Sequence, residues 1–123
     1  MHRHVTTIGV LALVGLACSA ASAQNAPPTY QADPAVYKVI FEDQNFRVIE
    51  ATWKVGQTDK PHSHPAGSIA YALADCTLKL TAGDKSIELH PKAGVVTAVP
   101  PTASHTATNV GSADCRTIFV EKK

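Results

Sequence analysis

The chain has 123 residues, 45% of them hydrophobic and 17% charged, with 8 Pro and 7 Gly. That length suits one domain of ordinary size, and a normal apolar fraction with few charges argues against disorder. Eleven Lys and Arg stand against ten Asp and Glu, a net charge of +1 with no run of like sign, so the basic stripe that nucleic-acid binding needs is missing.

The N-terminus has a short polar start containing Arg3, an apolar run from Ile8 to Ala17, and small residues leading to Ala21-Ser22-Ala23. These three parts predict a secretory signal over residues 1–23. About ten apolar residues fall short of the roughly 20 that a membrane span requires, so no membrane insertion is expected after cleavage. A lipid anchor through Cys18 is disfavoured, because Leu16 stands one place too close to the cysteine for a usual lipobox. The expectation is a periplasmic or secreted protein. Removal of the signal leaves Cys76 and Cys115, which in an exported protein read either as a disulfide or as two buried thiols; their spacing does not decide.

Residues 24–36 are rich in Pro and Ala without periodicity and read as an extended lead-in or tether. From residue 37 to 123 short β-patterned segments follow one another. Tyr37 to Phe41 leads to a turn at Asp43-Gln44-Asn45, and Phe46 to Trp53 alternates. Gly56 to Lys60 is a turn. Ser68 to Leu73 and Thr77 to Leu80 are strands, and the hairpin turn Ala82-Gly83-Asp84-Lys85 returns through Ser86 to Leu89. Val95 to Val99, His105 to Val110 and Arg116 to Val120 complete the series. Strands at such spacing, with turn residues between them, predict an all-β sandwich or barrel. No window beyond about ten residues carries a helical period, so almost no helix is expected.

Four histidines remain after the signal: His62, His64, His90 and His105. The i, i+2 spacing of His62 and His64 puts both imidazoles on one face of a strand, near enough to share an ion. On its own this pair reads as readily as two surface histidines on a loop. His105, forty-one residues after His64, is the candidate third ligand. His90 fits no ligand position and reads as solvent-facing.

The surroundings of these residues carry more. Gly56-x5-His62-x-His64 and Gly94-x5-Pro100-x4-His105-x3-Asn109 closely resemble the two motifs of the cupin superfamily, G-x5-H-x-H-x3,4-E-x6-G and G-x5-P-x-G-x2-H-x3-N. The resemblance spans roughly residues 46–121 and is nearest to small single-domain bacterial cupins. It implies a double-stranded β-helix, or jelly-roll, barrel and often a homodimer. It also implies a divalent transition metal, Fe, Zn, Cu, Ni or Mn, held by His62, His64 and His105.

Departures from the family pattern change the chemistry. Ser68 stands where the family has its metal-binding glutamate, Asp75 replaces the closing glycine of the first motif, and Thr102 replaces the internal glycine of the second. The implied site is three neutral imidazoles with no anion among the ligands, which should attract an anionic ligand into the open positions. Three-histidine sites occur in the superfamily among thiol dioxygenases and diketone-cleaving dioxygenases, and the likeness to those enzymes is limited to ligand type. An oxygenase acting on a small organic substrate is therefore the leading expectation. The alternatives are a non-catalytic module binding a metal or a small anion, and a barrel with a vestigial site.

Ser68, Ala70 and Tyr71 are the pocket candidates. Small residues at 68, 70 and 72 on the inward side of one strand imply a cavity beside the metal, and Ser68 at the glutamate position could hydrogen-bond a metal-bound water. Trp53 and Tyr71 read as pocket or core aromatics, and Asn109 as securing the turn after its strand. No carboxylate presents itself for acid–base work, which argues against hydrolases and sugar isomerases. The resemblance further places the strand ending near Cys76 antiparallel to the strand beginning near Cys115. A Cys76–Cys115 disulfide follows, stabilising by roughly 3–4 kcal/mol.

Overall fold

The computed structural model describes residues 24–123. The expected signal over residues 1–23, with Cys18, lies outside the described residues. One helical turn, α1 (Thr29–Ala32), precedes nine strands: β1 (Tyr37–Glu42), β2 (Phe46–Trp53), β3 (His62–His64), β4 (Ser68–Ala72), β5 (Leu78–Ala82), β6 (Lys85–Leu89), β7 (Val96–Val99), β8 (Thr102–Asn109) and β9 (Cys115–Lys122). They form a five-stranded sheet in the order β1-β2-β9-β4-β7 and a four-stranded sheet in the order β3-β8-β5-β6. All pairings between these strands are antiparallel. The chain repeatedly passes from one sheet to the other, so strands distant in sequence become neighbours. This is the double-stranded β-helix of a jelly roll.

Alternation decides which side chains face the interior. In β2, Ile49, Ala51 and Trp53 are buried while the residues between them are partly exposed, and in β9 the buried set is Cys115, Thr117, Phe119 and Glu121. The second sheet contributes Leu78 and Ala107 to the same core. Period-two burial of this kind is what one covered sheet face imposes. Two turns depend on glycine. Gly56 (φ +78°) and Gly94 (φ +84°), the first residues of the two histidine motifs, both lie in the left-handed region that other residues avoid. The β1–β2 turn is held by the Asp43 side chain, whose Oδ1 accepts from the amides of Asn45 and Phe46, both at 2.7 Å.

The lead-in of residues 24–36 is docked along the barrel. The amide of Ala26 donates to Ala103 O, and that of Ser63 donates to Pro27 O. Thr29, Asp33 and Val36 are buried, and Asp33 Oδ2 accepts from the Lys60 amide at 3.1 Å. The helical turn of four residues is too short to leave a periodic signal in sequence. Among the described residues no helix is long and apolar enough to cross a membrane.

Cys76 and Cys115 form a disulfide with a Cα–Cα distance of 5.3 Å. It ties the segment after β4 to the first residue of β9, the strand beside it in the sheet.

Candidate metal centre

Two strands build the histidine cluster. β3 pairs with β8 so that His62 stands opposite His105, and a register shift then sets His64 opposite Thr102. The i, i+2 alternation of β3 turns His62 and His64 to the same inward side, with 0% and 6% of their surface exposed; His105 is half-buried. The three ring centroids are 4.6–5.0 Å apart. One ring nitrogen from each residue lies within 4.8 Å of the others, and the Nε2 atoms of His64 and His105 are 3.1 Å apart.

This donor set fits a transition metal. Imidazole nitrogens bind such ions at about 2.0–2.1 Å, so adjacent ligand nitrogens must come within about 3 Å of one another. The imidazoles must also be neutral. Burial, reinforced by His62 and His105, pushes His64 down to a pKa of about 3. Burial also lowers His105, with His62 adding to it and Asp59 opposing. Crowding therefore keeps these bases unprotonated at neutral pH.

A buried carboxylate that the sequence reading passed over lies behind the cluster. Asp59 belongs to the turn before β3 and is 3% exposed. Its Oδ2 accepts from Tyr37 Oη–H at 2.6 Å and from Trp53 Nε1–H at 2.9 Å, and its Oδ1 accepts from the Ala107 amide at 2.7 Å. Oδ1 is also 3.6 Å from His62 Nδ1. Burial and Asp59 raise Tyr37 well above the usual phenol range, so it stays protonated, with its oxygen 3.3 Å from His62 Nε2.

In front of the cluster opens a cavity of about 590 Å³, the size of a small-molecule site. Its walls are mainly apolar, including Leu78, Leu80, Ile87, Leu89 and Val99. Ala70 and Ala72 line it, as small inward residues should. Ser68 is buried but stands outside the cavity wall, donating its Oγ–H to Pro65 O at 3.0 Å. Tyr71 is 41% exposed on the opposite face of β4, which corrects its reading as a pocket residue: one step along a strand reverses the side-chain direction. Trp53 both lines the cavity and packs in the core.

Among the described residues no Asp or Glu lines the cavity, whereas Lys85, His90 and Lys92 do. Lys92 is also 3.5 Å from the Asp75 carboxylate. His90 is exposed, as expected. Asn109 serves the turn after β8: its Nδ2 donates to Trp53 O and Ala113 O, and its Oδ1 accepts from the Gly111 amide.

A family model described as a cupin domain matches residues 49–121. Among solved structures, a cupin domain from Bordetella pertussis is similar with a TM-score of 0.66 and 17% identity, covering 82% of this chain and 99% of that one. A cupin family protein with a double-stranded β-helix fold from Methanocaldococcus jannaschii gives 0.57 and 15%, covering 71% and 78%. A cupin conserved-barrel domain protein from Salinispora arenicola gives 0.53 and 17%, covering 80% and 88%. No curated protein matches the chain.

Proposed function

Since the chain belongs to the cupin superfamily, we propose that it is an exported metal-binding cupin whose three-histidine centre acts on a small organic substrate, by oxygenation. The observation that carries this reading is the convergence of His62, His64 and His105 at one point facing the cavity. When bound there, iron would supply O₂ activation, the reason that three imidazoles with open positions suit an oxygenase. The residues around it do the rest. The apolar walls exclude water and hold the body of the substrate.

The cavity also selects for charge. Three neutral ligands leave the positive charge of a divalent ion uncompensated by the ligands themselves, and Lys85 and Lys92 add positive charge while no acid among the described residues lines the wall. A substrate with an apolar body and one anionic group matches both features. Export is supported by the leader-like sequence of residues 1–23 and by the disulfide, a bond that persists in oxidising compartments.

The absence of any carboxylate from the cavity wall also favours a second reading, a binding module that holds the same kind of ligand without turnover. Oxygen uptake by iron-loaded protein, screened against small aromatic and aliphatic carboxylates, separates the two. Consumption of O₂ above that of His105→Ala supports the oxygenase. Thermal stabilisation by a carboxylate with no O₂ consumption supports the binding module and overturns catalysis.

A further inference from the structure

The ligand set lacks an anion, yet one lies immediately behind it. We propose that Asp59 is a positioning residue that provides, through His62, the negative charge that the metal ligands themselves do not. This rests on the metal-binding reading above.

Asp59 is buried, with a fully covered side chain. Two of the groups that point at it, Trp53 Nε1–H and the Ala107 amide, can only donate, and Tyr37 adds the shortest of the three bonds at 2.6 Å. Three donors converging on two oxygens is the chemistry of an ionised carboxylate, which accepts and does not donate. No Lys or Arg lies within ion-pair distance of it among the described residues; its neighbour in that respect is His62, with Nδ1 at 3.6 Å from Oδ1.

The position of the protons follows. His62 Nδ1 is 2.9 Å from Lys60 O, and a carbonyl only accepts, so Nδ1 carries the proton. In the neutral imidazole that metal binding requires, Nε2 is then left with its lone pair. Tyr37 Oη, 3.3 Å from that Nε2, has its single proton directed to Asp59 at 2.6 Å, so no donor occupies the lone pair. Asp59 therefore acts twice on His62. It places negative charge at the back edge of the ring, and it draws the Tyr37 proton away from the nitrogen that faces the cluster. A carboxylate behind a ligating histidine raises the basicity of the ring and fixes its tautomer.

The test is the affinity for Co²⁺, measured by chelator competition at pH 7 on wild type, Asp59→Asn and Tyr37→Phe, each checked for folding by circular dichroism. Asp59→Asn removes the charge and keeps the shape, and its affinity should fall about 10–100-fold. Tyr37→Phe removes a hydrogen bond from the same network but keeps the charge, and it should bind as wild type does. Unchanged affinity in Asp59→Asn overturns the proposal. So does an equal loss in Tyr37→Phe, because a purely structural network would suffer from either change. If Asp59→Asn does not fold, Tyr37→Phe decides: retained binding supports a role of charge, and a loss of about tenfold or more contradicts it. Wild type that binds no Co²⁺ refutes the metal-binding reading itself. Wild type that binds it, with Asp59→Asn unaltered, refutes only this inference.

Discussion

His64 is held near a pKa of about 3 by burial and by its two imidazole neighbours, and His105 is lowered by the same forces. An unfolded histidine titrates near 6.5. Between roughly pH 6.5 and the folded values, the unfolded chain binds protons that the folded chain refuses. Stability from these groups is thus fully present above about pH 6.5 and declines as pH falls. Glu121 acts in the opposite sense, because burial raises its carboxyl despite Arg47 at 4.0 Å; its protonation on acidification favours the folded state. The two contributions oppose each other, and a variant of the histidine cluster separates them. Denaturant unfolding of metal-free protein below about pH 6.5 should show stability falling with pH at a shallower slope in His64→Gln than in wild type. An equal slope in the variant would mean that the cluster is not what titrates.

At the scale of elements, pairing β3 with β8 makes the centre and pairing β4 with β9 makes the disulfide. The cross-link closes a separation of 39 residues, for which restriction of the unfolded chain predicts about 3–4 kcal/mol. Cys76→Ala/Cys115→Ala should lose about that much in denaturant unfolding; no loss would show that the packing of β4 against β9 suffices alone. Much of this arrangement was legible. Gly56 and Gly94 stand at fixed distances before their histidines because each chain reversal needs a left-handed residue, and that spacing showed in sequence. Period-two alternation showed the inward set of β4, and the same parity runs against the reading of Tyr71 as a pocket residue. Asp59 was not legible. A lone acid in a turn reads as solvated, and its burial depends on Tyr37 and Ala107, 22 and 48 residues away. The docking of residues 24–36 was hidden for a related reason, since its bonds to Ser63 and Ala103 are tertiary.

For the whole molecule, the two sheets close over a core and leave an apolar cavity in front of the cluster, lined on its inner side by the core residues Trp53, Leu78, Ala107 and Phe119. The core holds Trp53, Tyr37 and Ile49 and backs His62, while the cavity walls also take side chains from β6 and β7, whose own surfaces remain largely exposed. A rigid ligand set beside an accessible cavity is what a metal centre needs to meet a substrate. The departure at Ser68 removes a ligand anion from this design without removing the histidines. The decisive measurement is metal content by mass spectrometry on protein exported to an oxidising compartment, for wild type and His105→Ala. A three-histidine centre predicts near-stoichiometric transition metal in wild type and its loss in the variant. Metal-free wild type, or equal metal in both, would contradict it.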